Sequence, residues 1–127
     1  MGGGGFIAVG VGAALGAWLR WGLGLLLNPV LPTLPLGTLA ANLVGGYLMG
    51  IAMGIISHYA SLPAEARLLI TTGFLGGLTT FSTFSAEAVA LLSRQQYGWA
   101  AAHISSHLLG SLAMTVLGVI TINLLKG

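Results

Sequence analysis

The sequence contains no cysteine and no aspartate. Without thiols there is no disulfide framework, no thiolate metal site and no cysteine nucleophile. Charge is almost as scarce. Arg20, Glu65, Arg67, Glu87, Arg94 and Lys126 are all of it, 5% of 127 residues, where a soluble domain carries roughly 25%. Such a chain cannot clothe a water-facing surface. Its formal net charge of +2 comes with no basic cluster, so a nucleic-acid backbone has nothing to engage. No residues pair a nucleophile with a base, which points away from an enzyme.

What the chain has instead is apolar length. Hydrophobic residues make up 56% of it, and the mean hydropathy is +0.98. The stretches between charges are long enough to cross a bilayer, which takes about 20 residues per helix. They predict an all-α integral membrane protein, a single domain over 1–127 with helices near 5–26, 36–58, 67–92 and 99–125. The breakers between them are short. NPVLPTLP (Asn28–Pro35) holds three prolines and reads as a turn. SLPAEAR (Ser61–Arg67) offers Pro63 near the first helical position and Glu65 in the first turn, both suited to a helix N-terminus. SRQQYGW (Ser93–Trp99) places Tyr97 and Trp99 where an interfacial aromatic belt would lie. The opening MGGGGFIAVGVGAALGAWLR has no charge before Arg20. That predicts a retained first helix rather than a cleaved signal.

Four helices with such short connections barely enclose an interior, so a pathway is expected to form between chains. Gly12-x-x-x-Gly16 and Gly46-x-x-x-Gly50-x-x-x-Gly54 set small residues on one helix face, which lets backbones approach closely. Orientation is nearly undetermined. Arg67 and Lys126 fall on one side, Arg94 on the other with Arg20 near it, and the positive-inside rule hardly chooses. Insertion in both orientations, giving an antiparallel pair, and a single weakly biased orientation both satisfy that balance.

The polar residues inside the spans form stripes. His103, His107, Ser111 and Thr115 recur every four residues; so do Thr79, Thr83 and Glu87, with Ser82 alongside; Thr38, Asn42 and Gly46 share a third face. Intramembrane polar residues face a bundle interior, a cavity or a pathway. Three stripes together favour a wet or ion-conducting surface over interhelical hydrogen bonding alone. The two histidines at i and i+4 invite a metal, but Zn²⁺ needs further ligands, and only His58, Glu65 and Glu87 are available. Hydrogen bonding or the lining of a vestibule is the favoured role. Glu87 reads either as the acid of a proton-coupled carrier or as the watery end of a polar track.

Gly73–Ser85, GFLGGLTTFSTFS, interrupts the third span. Gly73, Gly76 and Gly77 permit an unwound turn. Thr79, Thr80, Ser82, Thr83 and Ser85 bring hydroxyl donors, and no carboxylate is among them. Phe81 and Phe84 share a face, and aromatic edges carry positive quadrupolar charge. With the Asn42 amide, this set suits either a weakly held anion or two core phenylalanines in a kinked helix.

TTGFLGGLTTFSTFSAE (Thr71–Glu87), GTLAANLVGG (Gly37–Gly46), Arg20 within AWLRW and HLLGSLAMT (His107–Thr115) together resemble the Fluc family of bacterial fluoride channels. The resemblance spans all four segments and keeps motif order and spacing. It implies a passive fluoride-selective channel in the bacterial inner membrane, built as an antiparallel, dual-topology homodimer with two pores lined by both subunits. It further implies a break at the centre of the third helix, where backbone carbonyls, here those of Gly76 and Thr79, hold a structural Na⁺ on the dimer axis. Phe81 and Phe84 match the phenylalanines whose edges face fluoride, and Asn42 the pore asparagine. Ser82, Thr83 and Thr115 match the hydroxyl track, with Ser111 on the same face and Glu87 at the distal end. Arg20 matches an arginine near an aqueous vestibule. The alternative is a proton-coupled exporter resembling the small multidrug resistance transporters, which rely on a first-helix acid; this first helix has only Arg20.

Overall fold

The computed structural model describes residues 2–126. Four spans in it are long and apolar enough to cross a membrane: Gly2–Val30, Leu36–His58, Ala64–Ser93 and Tyr97–Lys126. Helix α1 is Gly2–Leu27. It begins ahead of the expected residue 5 because the glycine run continues the helix beside the start of the third span, with Gly5 buried and Gly4 facing the Glu65 side chain. A 3₁₀ turn, Asn28–Val30, follows, then α2, Leu36–His58. Pro35 supplies no side-chain cap to α2. Asn28 does so from nine residues back, its Oδ1 accepting from the backbone N–H groups of Gly37 at 2.7 Å and Thr38 at 3.2 Å. Two of the donors left open at a helix start are thereby satisfied.

The third span is irregular. Its first part, α3 (64–78), starts at Ala64–Arg67, widens into a π-helix over Leu68–Leu75 and closes with Gly76–Leu78. The Thr71 hydroxyl donates back to the Arg67 carbonyl at 2.7 Å, and the Gly76 N–H reaches the carbonyls of Gly73 and Thr71. Thr79 and Thr80 are extended, at φ −84°, ψ 156° and φ −149°, ψ 118°. Helix α4, Phe81–Ser93, begins with Thr80 as its cap, the hydroxyl accepting from the Thr83 N–H at 3.1 Å. A short turn with Gln95 at φ 60° leads to α5, Tyr97–Lys126.

The helices pair through glycine. Helix α1 lies along α3 and α2 along α5. A Cβ on Gly16 would run into the Phe74 carbonyl, and one on Gly50 into the Thr115 carbonyl. Both stripes therefore allow backbone to touch backbone, but with the third and fourth spans as partners rather than with each other. The core is small, formed by Ala41, Ala52, Leu75 and Leu78, with Leu23, Leu48, Met49 and Phe74 packed around it. Most large apolar side chains face outward, as a chain bathed in lipid requires.

Candidate functional site

Asn42, at the end of the second turn of α2, faces the non-helical residues of the third span. Its Oδ1 accepts from the Thr80 N–H at 2.8 Å and its Nδ2 donates to the Thr80 carbonyl at 3.1 Å. One amide side chain thus satisfies both backbone groups of a residue that has left the helix, where an unmet polar group in hydrocarbon costs several kcal/mol. The same Nδ2 also meets His107 Nδ1 at 2.9 Å. Because the Thr80 N–H fixes which end of the amide is oxygen, Nδ2 must be the donor. His107 therefore keeps its lone pair on Nδ1 and its proton on Nε2.

The interruption parts the carbonyls of Gly76, Gly77, Leu78 and Thr79 from their usual donors, those of Gly76 and Thr79 because the donors turn elsewhere. In a continuous helix the Gly76 carbonyl would accept from Thr80 and the Thr79 carbonyl from Thr83. Thr80 donates instead to Asn42 and Thr83 to the Thr80 hydroxyl. The Gly77 carbonyl is taken by Arg20, whose Nε donates to it at 3.0 Å from the second half of α1. Arg20 thus places its cation at the C-terminal end of α3, where the helix dipole is negative.

Phe81 and Phe84 stand on the first turn of α4. Their ring centroids are 5.5 Å apart at 61°, an edge-to-face arrangement. Phe84 in turn touches His103 at 5.3 Å and His107 at 4.7 Å between centroids. His103 is one of the most buried large side chains among the described residues. Its Nε2 lies 3.3 Å from the Phe84 carbonyl and 3.5 Å from Glu87 Oε1. The other Glu87 oxygen accepts from the Thr38 hydroxyl at 2.7 Å.

A half-open groove of about 630 Å³ runs past these residues. It brings together Asn42, Phe81, Phe84, Ser111 and Thr115, along with Gly76, Thr79 and His107. Ser82, Thr83, Glu87 and Arg20 stand outside its lining. Ser82 is exposed, while Thr83, Glu87 and Arg20 are partly buried on other faces. No carboxylate lines the groove. Its polar groups are an amide, hydroxyls and an imidazole, and Phe81 and Phe84 supply aromatic walls. Asn42 spends its Nδ2 protons on the Thr80 carbonyl and His107, and the Thr79 and Thr115 hydroxyls donate to the carbonyls of Leu75 and Ser111. A small anion would have to draw these donors from their present partners, but it would meet no carboxylate.

The sequence pattern missed two roles. Thr80 reads in the sequence as one hydroxyl among several, although a threonine directly before the Phe81 that opens a helical run is a capping signal. The acceptor of Arg20 lies 57 positions away, and no local pattern points to it.

The family model described as "CrcB-like protein, Camphor Resistance (CrcB)" matches residues 7–119. A protein of Nitrosospira multiformis named "Fluoride-specific ion channel FluC" is 66% identical over 91% of this chain and 90% of its own length. Proteins of the same name from Cupriavidus taiwanensis and Ralstonia nicotianae are 62% and 58% identical, covering 95% and 98% of this chain and 96% and 99% of theirs.

Proposed function

Because this chain belongs to the CrcB-like family, we propose that it is a fluoride-specific ion channel and not an enzyme, a multi-pass protein of the bacterial inner membrane that lets cytoplasmic fluoride leave down its electrochemical gradient. The observation that carries this reading is the groove where Asn42, Phe81, Phe84, Ser111 and Thr115 meet without a carboxylate. Fluoride is small and strongly hydrated. A path for it must replace water with donors, yet hold the ion loosely enough to release it. Hydroxyls, aromatic rings and the Asn42 amide, which must release Thr80 or His107 to donate, provide that field. Ser82 and Thr83 extend the donors along α4, Glu87 marks the distal end, and Arg20 biases the approach toward anions.

The conducting unit is an antiparallel homodimer with two pores. Phe81 is 80% exposed at the edge of the groove, so a single chain leaves the path open on one side, and a second copy would close it. The near balance of charge across the membrane favours insertion in both orientations. The Gly76 and Thr79 carbonyls, each deprived of its helical donor, suit a hard cation such as Na⁺. Two oxygens underfill its shell, and a twofold-related chain would double them. The ion's part is structural, joining two interruptions at the centre of the dimer.

The test is direct. Protein purified and reconstituted into liposomes loaded with fluoride or chloride is expected to release fluoride, read with a selective electrode, and to retain chloride. No fluoride release, or equal release of both anions, would defeat the proposal.

A further inference from the structure

Among the described residues, three buried side-chain atoms have no hydrogen-bond partner: Glu87 Oε1, His103 Nδ1 and His107 Nε2. An unmet buried polar group costs about 1–3 kcal/mol, and native structures rarely tolerate several together. These three belong to residues that stand side by side, each offering one ligand atom within 4.8 Å of the other two. His103 and His107 are 0% and 3% exposed, with ring centroids 4.5 Å apart. Glu87 closes the third side.

The donor inventory decides what the cluster can bind. His103 Nε2 faces two acceptors, the Phe84 carbonyl and Glu87, so its proton sits there and Nδ1 carries a lone pair. Glu87 Oε2 is engaged by Thr38, which leaves the lone pairs of Oε1 directed into the cluster. An anion entering here would meet a carboxylate oxygen and an imidazole lone pair beside the single His107 Nε2 proton. A cation would meet two ligands, and a third once His107 Nε2 gives up that proton. Two imidazoles and one carboxylate are the donor set of three-ligand zinc sites, whose fourth position is left to water. Bonds of about 2.0–2.2 Å in a tetrahedron separate ligand atoms by about 3.4 Å, so atoms now within 4.8 Å need only small side-chain adjustments.

From these contacts we infer that Glu87, His103 and His107 form a binding site for Zn²⁺ or a like divalent transition ion beside the groove, and that its occupation shuts the fluoride path. The first half stands on the cluster alone; the second rests on the channel reading above. Closure follows from the His107 tautomer. To give Nε2 to a metal, His107 must move its proton to Nδ1, which then confronts the Nδ2 of Asn42. The amide has to turn its oxygen toward His107, and the Thr80 N–H loses its acceptor. Metal binding and the Asn42–Thr80 lock therefore exclude each other. Glu87, whose side chain is 17% exposed, is the ion's point of access.

The experiment uses the full chain in detergent, stripped with chelator and titrated with Zn²⁺ by calorimetry. One Zn²⁺ per chain is expected, with affinity falling at least about tenfold in His103→Ala, His107→Ala and Glu87→Gln. The last variant keeps an oxygen for the Thr38 hydroxyl. His58→Ala, at the far end of α2, is expected to bind as wild type does. Co²⁺ added to the wild-type chain should give the visible absorption of a four-coordinate site, a readout that needs no variant. In liposomes, Zn²⁺ should suppress fluoride release by wild type at concentrations at least about tenfold below those needed for His103→Ala, whose side chain lies outside the groove lining. Absence of stoichiometric Zn²⁺ binding, binding unchanged in all three cluster variants, or a purely six-coordinate Co²⁺ spectrum overturns the site. Zn²⁺ bound at the cluster with fluoride release undiminished overturns the closure alone. Zn²⁺ binding that follows the cluster in a protein that never releases fluoride leaves the site standing and removes the channel reading.

Discussion

Asn42 meets both backbone groups of Thr80 and the His107 ring at once, and no other amide or carboxyl side chain can do so. Aspartate lacks the NH₂ group, so Asn42→Asp abandons the Thr80 carbonyl and sets a negative charge in a groove that otherwise has none. Phe81→Ile keeps apolar bulk but removes the ring edge that an anion would meet. Each substitution is expected to lower fluoride flux by about tenfold or more, a barrier change of roughly 1.4 kcal/mol. The proposed dimer should survive on size-exclusion chromatography, because Asn42 bonds within its own chain and Phe81→Ile keeps an apolar side chain on the exposed face. Full flux in both variants would take these residues off the path. Asn42 and Phe81 were visible in the sequence as an isolated intramembrane amide and as half of an aromatic pair. What Asn42 holds was not visible, since its partners lie 38 and 65 positions away and depend on how α2 and α5 are rotated about their axes. For the same reason the stripes displayed Glu87, His103 and His107 on two helices without revealing that they converge.

The third span contains the least regular backbone in the chain. Hydropathy marked the four spans because apolar length is all a bilayer demands, and glycine spacing marked the close faces. The π-helix over Leu68–Leu75 left no trace in the pattern, because eight residues carry too few repeats to distinguish a wide turn from an α-helical one. Glycines and hydroxyls drew attention to Gly73–Ser85, and the extended residues are the threonines at 79 and 80 rather than the glycines before them. With the N–H groups of Thr80 and Thr83 redirected, the use proposed above for this element is to hold Na⁺ on freed carbonyls. Replacing Na⁺ by a bulky organic cation throughout purification is expected to weaken the dimer, since an ion bound only to the assembled state adds about 2.7 kcal/mol at a hundredfold above its Kd. Thermal unfolding in detergent should shift downward and recover when Na⁺ is returned. A dimer equally stable and active without Na⁺ would remove the ion from the account of this element.

At the scale of the molecule, the count of spans makes the proposed arrangement testable. Four crossings return the chain to the side where it started, so both termini lie on one face of the membrane. Two copies fused head to tail through a soluble linker must then insert in parallel. Adding one extra transmembrane helix to the linker inverts the second copy and forces the pair antiparallel. If two copies complete each other's grooves only when inverted, the fusion with the added helix should conduct fluoride in liposomes. The directly linked fusion should conduct only through partners drawn from separate molecules, and that residue should vanish at low protein density. The reverse pattern, or equal flux at low density from both fusions, would show that orientation does not matter to the pore. The scarcity of charge with which the sequence opens would then be no more than an adaptation to lipid. If the inverted fusion alone conducts, the same scarcity has a second consequence. With four basic residues so evenly divided, one sequence can supply both halves of a two-sided assembly, and a single added arginine on one short loop should bias insertion enough to starve the dimer of its partner.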